Sequence, residues 1–184
     1  MRMNHIEADS AMNLRVAEHP DIDAIFLLYK AVIEAVDKTP VKLGWRIDQY
    51  PSFEWITDCV AKHEMLVFCD GGKIAGAACV NYLGNECYAR VSWKVTEPAD
   101  KISTIHGFCV DPALWRSGVS SAFLKEILAW CRKNGDAAIH LDVIDTNDKA
   151  MKMYIKAGFE ERAVMDMFYE VVGTRSFWML EYIF

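Results

Sequence analysis

Apolar residues recur at helical spacing over Ile22, Ile25, Phe26, Tyr29, Val32, Ile33 and Val36. The pattern predicts a helix opened by Pro20-Asp21 and stopped by Thr39-Pro40. Residues 13–17 read as a short strand before it. Ser52 suits the N-cap of a second helix whose stripe is Trp55, Ile56, Cys59 and Val60. Residues 65–69 and 74–82 read as strands joined through Asp70-Gly71-Gly72-Lys73, which is good hairpin chemistry. Residues 88–95 alternate Tyr88, Arg90, Ser92 and Lys94 against Ala89, Val91, Trp93 and Val95, and read as another strand. Residues 103–110 form a strand that enters the turn Asp111-Pro112. Val119, Ala122, Phe123, Ile127, Leu128 and Cys131 then mark a helix over 118–134, which Gly135 ends. A short strand at 139–143, a helix at 147–157 and a closing pair of strands at 159–168 and 176–182 complete the chain. Strands and helices in this order predict an α+β domain with a central sheet.

Composition narrows the function classes. The 184 residues are 53% hydrophobic, enough for one domain with a real core and too apolar for disorder. A net charge of −6 excludes bulk nucleic-acid binding. No apolar run has the length of a membrane span, and residues 1–10 read as a loose arm ahead of a single domain at 11–184. The six cysteines have no C-x-x-C spacing and lie mostly in apolar runs, so reduced core thiols in a cytoplasmic protein are expected. No metal-ligand spacing is visible.

The strand at 103–110 runs through a tight turn into Trp115-Arg116-Ser117-Gly118-Val119-Ser120-Ser121 and a helix. A helix N-terminus presents unpaired N–H groups and partial positive charge, which suits a phosphate; taken alone, one glycine before a helix is equally plain packing. Neither G-x-x-x-x-G-K-[ST] nor G-x-G-x-x-G is present. About thirty residues on comes Leu141-Asp142-Val143, then Asn147 opening a helix that carries Tyr154 one turn before Gly158-Phe159.

This pairing resembles the GCN5-related N-acetyltransferase (GNAT) superfamily, and a narrower likeness to a bacterial subgroup lies in Tyr88–Trp93-Lys94, Ile105-His106 and the terminal aromatic strand. The resemblance implies an α/β/α fold: a mixed, mostly antiparallel sheet of about seven strands flanked by four helices, with a splayed cofactor-binding strand. It implies acetyl-CoA as co-substrate, with the pyrophosphate on Arg116, Ser117, Gly118, Val119, Ser120 and Ser121. The pantetheine would run along Phe108, Cys109 and Val110, and Asn147 would touch the cofactor arm. Trp115 stands where Gln or Arg is usual in the family pattern, and Ser120 where Gly or Ala is usual. Tyr154 matches the family's general-acid tyrosine; packing in the core is its other reading.

Acetyl transfer to an amine also needs a base. Strand parity puts His106 on one face with Phe108 and Val110, where an imidazole near pKa ~6.5 would take a proton directly or through water. A structural, hydrogen-bonded histidine is the competing reading. Trp45, Tyr50, Tyr82 and Trp93 are expected around a small-molecule or peptide amine. Cys109 has parity opposite to His106, which favours direct transfer over a thiol nucleophile. The expected activity is therefore N-acetyl transfer from acetyl-CoA to a primary amine, with a non-catalytic acyl-CoA sensor as the alternative. The apolar segment Phe177-Trp178-Met179-Leu180 is read as either buried or an edge that a second copy of the chain would cover. Between residues 112 and 156 the chain carries a local charge of +2 within its total of −6, consistent with an anionic cofactor beside a cation-tolerant acceptor side.

Overall fold

The computed structural model describes residues 12–169 and 173–184; the arm expected at 1–10 lies outside them. The elements are β1 (Asn13–Val16), α1 (Ile22–Val36), α2 (Phe53–Ala61), β2 (Met65–Asp70), β3 (Lys73–Asn81) and β4 (Ile102–Val110). They continue with α3 (Val119–Lys133), β5 (Ala138–Ile144), α4 (Asp148–Ala157), β6 (Glu160–Tyr169) and β7 (Gly173–Ile183). Seven strands form one sheet in the order β1-β2-β3-β4-β5-β7-β6. Every pairing is antiparallel except β4 with β5. The order of elements predicts this α+β class, and the family resemblance implies its mixed, mostly antiparallel sheet. None of the described helices is long and apolar enough to cross a membrane.

Alternation along the strands sorts the core into layers. Leu66, Phe68, Ile139, Leu141 and Val143 face Phe123, Leu124, Ile127 and Tyr154 on α3 and α4. Met65, Val67 and Cys79 face Ile25, Tyr29, Ile56 and Cys59 on α1 and α2. A third cluster joins Tyr88 and Val91 to Ile144, Phe177 and Met179. The Ser52 hydroxyl accepts from the Trp55 N–H at 3.1 Å, so the predicted cap starts α2.

Residues 88–95 form no strand; the region holds a 3-10 turn over Glu86–Arg90 and a loop. The donors that a ladder would use are taken elsewhere: the Lys94 and Val95 N–H groups donate to the Glu181 carboxylate at 3.1 and 2.9 Å. The indole of Trp93 closes the turn by donating to the Tyr88 carbonyl at 2.9 Å. At 177–180 the buried reading is the one the structure shows. β7 lies between β5 and β6, so Phe177, Met179 and Leu180 are buried within the chain itself.

Two irregularities shape the centre of the sheet. β4 and β5 pair only over Ile102↔Ala138, Ser103↔Ile139 and Thr104↔His140, and beyond Thr104 the two strands part. Within β4, His106 pairs with Cys79 and Cys109 with Ala77, so two residues, Gly107 and Phe108, stand against Ala78 alone. Gly107 takes φ +61°, the left-handed conformation that such a bulge requires and that glycine adopts freely. The extra residue reverses parity. Ile105 and Val110 face α3, whereas Cys109 faces α1 and α2 together with Cys79, the partner of His106. His106 therefore lies on the sheet face opposite Phe108 and Val110, not beside them as unbroken alternation predicts.

Candidate active site

The opening between β4 and β5 has chemically distinct walls. On the α3–α4 side, the Phe108 ring stacks on Phe123 with centroids 4.9 Å apart and meets the Tyr154 ring edge-on at 6.1 Å. Tyr154 is packed by Phe159 as well and is only 5% exposed. Burial, with the Asp142 carboxyl nearby, pushes its phenol above the ordinary range, so the proton stays on the oxygen at neutral pH. Every fully occluded side-chain N or O atom among the described residues has a partner, and none of them is hydrogen-bonded to the Tyr154 hydroxyl. With no hydrogen-bond partner among the described residues, the Tyr154 oxygen is therefore not fully occluded and is an unshared donor.

On the α1–α2 side stands His106. Its Nε2 lies 2.9 Å from the Leu83 carbonyl and 3.2 Å from Asn81 Oδ1. Burial lowers its pKa despite the opposing effects of that carbonyl, Asp142 and Glu64, so the ring is neutral at pH 7. Asp142 projects from β5 to the same face. Burial raises the pKa of its carboxyl, against the Tyr88 hydroxyl that donates to it at 2.7 Å. Asp142 is the member that sequence reading missed. A single acidic residue between Leu141 and Val143, in a strand whose only other polar residue is His140, was the available signal.

Cys109 joins His106 on one face because of the bulge, but it is no nucleophile. Burial in the apolar layer pushes its thiol up to about 12. All six cysteines are free and buried. Cys59 on α2, Glu64 in the turn before β2 and Cys79 on β3 bring their donor atoms within 4.8 Å of one another, a grouping that linear spacing conceals. The Glu64 carboxylate is already supplied there: Cys79 Sγ donates to Glu64 Oε2 at 3.9 Å and Asn81 Nδ2 donates to the same oxygen at 3.0 Å.

Beyond the end of β4, Asp111 Oδ1 accepts from the Ala113 N–H at 2.9 Å and tightens the turn. Trp115 donates its indole N–H to the Val110 carbonyl at 3.1 Å. Arg116 and Gly118 both take positive φ, +68° and +89°, which swings the chain into α3. Gly118 is the N-cap and supplies no side chain, so the N–H groups of Val119, Ser120 and Ser121 begin a fifteen-residue helix without a side-chain cap. A Cβ at Gly118 would meet nothing within 4 Å, so an anion has open access to this turn. Asn147 uses its Oδ1 to cap α4 through the Ala150 N–H at 3.2 Å. A parted pair of strands leading to an uncapped helix N-terminus fits an acyl thioester with a phosphate-bearing tail.

The four aromatic residues expected around an acceptor fall in three places. Trp45 and Tyr50 belong to one wall with Tyr29 and Trp55, each ring edge-on to its neighbours at 4.9–6.2 Å. This wall closes on the bulge: the Tyr29 hydroxyl donates to the Gly107 carbonyl at 2.8 Å. A Cβ on Gly107 would lie 2.9 Å from the Tyr29 oxygen and 3.0 Å from the Trp55 ring. Trp93 stacks on His140 at 3.8 Å and borders Tyr88. Tyr82 is apart from both, its hydroxyl donating to Asp136 at 3.1 Å. A cleft of about 390 Å³ beside the aromatic wall is lined by Val36, Asp37, Trp45 and Asp48.

Comparison with known proteins gives a consistent picture. The acetyltransferase (GNAT) family model matches residues 29–159. The ribosomal protein bS18-alanine N-acetyltransferase of Escherichia coli is 22% identical over 145 residues, covering 78% of this chain and 90% of the relative. A GNAT-family acetyltransferase from Streptococcus agalactiae superposes with a TM-score of 0.79 at 19% identity, over 94% of this chain and 95% of the other. YncA of Salmonella typhimurium, solved with its cofactor acetyl-CoA, superposes with a TM-score of 0.67 at 17% identity, over 95% and 94% of the two chains.

Proposed function

The chain belongs to the acetyltransferase (GNAT) family, and from that premise we propose that it moves the acetyl group of acetyl-CoA directly onto a primary amine. The observation that carries the reading is a protonated tyrosine hydroxyl, without a partner among the described residues, on one wall of the β4–β5 opening and a neutral imidazole on the other. The N–H groups at the start of α3, with Arg116, Ser117 and Gly118, hold the pyrophosphate. The backbone of Phe108, Cys109 and Val110 lines the path of the pantetheine. Bound there, acetyl-CoA supplies an activated acyl group.

His106 takes a proton from the acceptor ammonium, and the free amine attacks the thioester carbon. As the C–N bond forms and the C–S bond breaks, the Tyr154 hydroxyl gives its proton to the departing sulfur. The nitrogen, now bonded to the acyl carbon, loses its second proton, which water carries to the Tyr154 phenolate, and water removes the proton held on His106. The products are an amide, CoA thiol and one proton. Asp142 faces the same opening and favours the imidazolium while it exists.

The acceptor approaches from the face that carries His106, Asp142 and the wall of Trp45 and Tyr50; Trp93 borders it through Tyr88, and Tyr82 lies outside it. An amine acceptor accords with a relative named for acetylating the alanine of a ribosomal protein, and the donor with a fold neighbour solved with acetyl-CoA. Release of CoA thiol is the test, measured across small amines, amino acids and peptides with free N-termini. Amine-dependent release with acetylated product seen by mass spectrometry is expected. Thiol release equal with and without every amine overturns the reading.

A further inference from the structure

His106 is held by a chain of hydrogen bonds whose polarity can be read from end to end. The Leu83 backbone N–H donates to Asn81 Oδ1 at 3.0 Å, and a backbone N–H can only donate. Asn81 Nδ2 lies 3.0 Å from Glu64 Oε2, and a carboxylate can only accept. Both contacts fix the same orientation of the Asn81 amide, so its oxygen faces the imidazole. The second neighbour of Nε2 is the Leu83 carbonyl, also an acceptor. One ring nitrogen thus stands before two acceptors and no donor.

We infer that Asn81, held by Glu64, is a positioning residue that fixes neutral His106 as the Nε2–H tautomer and leaves Nδ1 as the nitrogen that takes the proton. The inference rests on the reading of His106 as the base. It adds which atom of the ring is basic and which residues select it. A neutral imidazole interconverts its tautomers readily, and only one presents a lone pair at a given atom. Opposite the two acceptors, the Nδ1–H form would place a lone pair against two oxygens. The charged groups facing the ring are Glu64, at the turn before β2, and Asp142 on β5; each favours the imidazolium, and burial outweighs both. Holding the amide by a carboxylate also keeps Asn81 from turning its NH2 towards Nε2, which would select the other tautomer.

The test is long-range proton–nitrogen NMR on the histidine-labelled full chain, with the signals of His106 identified by their loss in His106→Ala. The expected pattern is protonated Nε2 and unprotonated Nδ1 at a pH above the titration of the ring. Asn81→Ala is expected to give a mixed tautomer pattern and roughly tenfold lower kcat, with the KM for acetyl-CoA unchanged. Asn81→Asp restores an acceptor in the same place. It is expected to keep the Nε2–H tautomer, recover part of kcat and move the rising limb of kcat/KM to higher pH, since a carboxylate beside Nε2–H favours the imidazolium. A wild-type Nδ1–H tautomer, or an Nε2–H tautomer unchanged in Asn81→Ala, overturns the inference. Wild-type turnover by His106→Ala overturns the base assignment instead, and the spectrum tells the two failures apart.

Discussion

Two carboxylates on one face of the sheet, Glu181 on β7 and Asp142 on β5, meet opposite treatment. Glu181 pairs across the strands with His140, two residues along from Asp142. Burial pushes Glu181 up most strongly, yet the N–H groups of Val95 and Lys94, together with His140 and Arg162, bring it below the ordinary carboxylate range. Arg162 Nε approaches it at 2.5 Å and His140 Nε2 at 3.1 Å. Among the described residues one donor reaches Asp142, the Tyr88 hydroxyl, and burial holds its pKa up. A saturated carboxylate is a clasp: Glu181 ties the 93–95 loop and β6 to the sheet. An undersupplied one, beside His106 and within electrostatic reach of Tyr154, is the arrangement found where a protein stores a charge for chemistry.

Variants should separate the clasp from the reactive side. Glu181→Gln leaves Arg162 and the two N–H groups without their anion, and is expected to lower stability by about 3–5 kcal/mol. In a chain of this size that is a fall in Tm of roughly 6–20 °C. A thermal scan showing no change would erase the distinction. His106→Ala is expected to reduce kcat by about 10²-fold while Tm stays within a few degrees. Equal losses of Tm in the two variants would make His106 another clasp. The rate of the native protein should rise with pH through a limb below ~6.5, because burial lowers the His106 pKa, and this limb should vanish in His106→Ala.

The smallest effect concerns stability against pH, and its sign differs between the carboxylates. A lowered pKa means that Glu181 stabilises the fold above ~4.3, and this is lost as pH falls through its folded value. A raised pKa means that ionised Asp142 costs stability, a cost that appears as pH rises from ~3.9 through its folded value. Asp142→Asn is therefore expected to hold or raise Tm at neutral pH while lowering turnover. A drop in Tm as large as that of Glu181→Gln would place both residues in the same class.

The fold was legible wherever a segment's periodicity matched one element. Val119–Lys133 carries its helical stripe, and Met65–Asp70 with Lys73–Asn81 carries its hairpin turn. The alternating stretch at 88–95 misled because alternation reports side-chain parity alone. Whether a strand forms depends on free ladder partners, and a glutamate 86 residues further along takes the Val95 N–H. For the site, Phe108 and Tyr154 meet ring to edge as their motifs suggest, and the turn through Arg116 and Gly118 leads into α3. The partners of His106 were not legible, since Gly107 inserts one residue and turns every parity argument across it around. Asp142 was hidden for a similar reason, as its meaning comes from Tyr88, 54 residues away.

The central claim is that Tyr154 protonates the departing CoA sulfur. Tyr154→Phe keeps the ring packing against Phe108 and Phe159 and removes only the oxygen. Steady-state release of CoA thiol, at saturating amine, compares it with the native protein. The account predicts a kcat lower by at least about tenfold, and of order 10²-fold if proton transfer limits the rate, with KM for acetyl-CoA unchanged. Turnover by Tyr154→Phe at the native rate would contradict it.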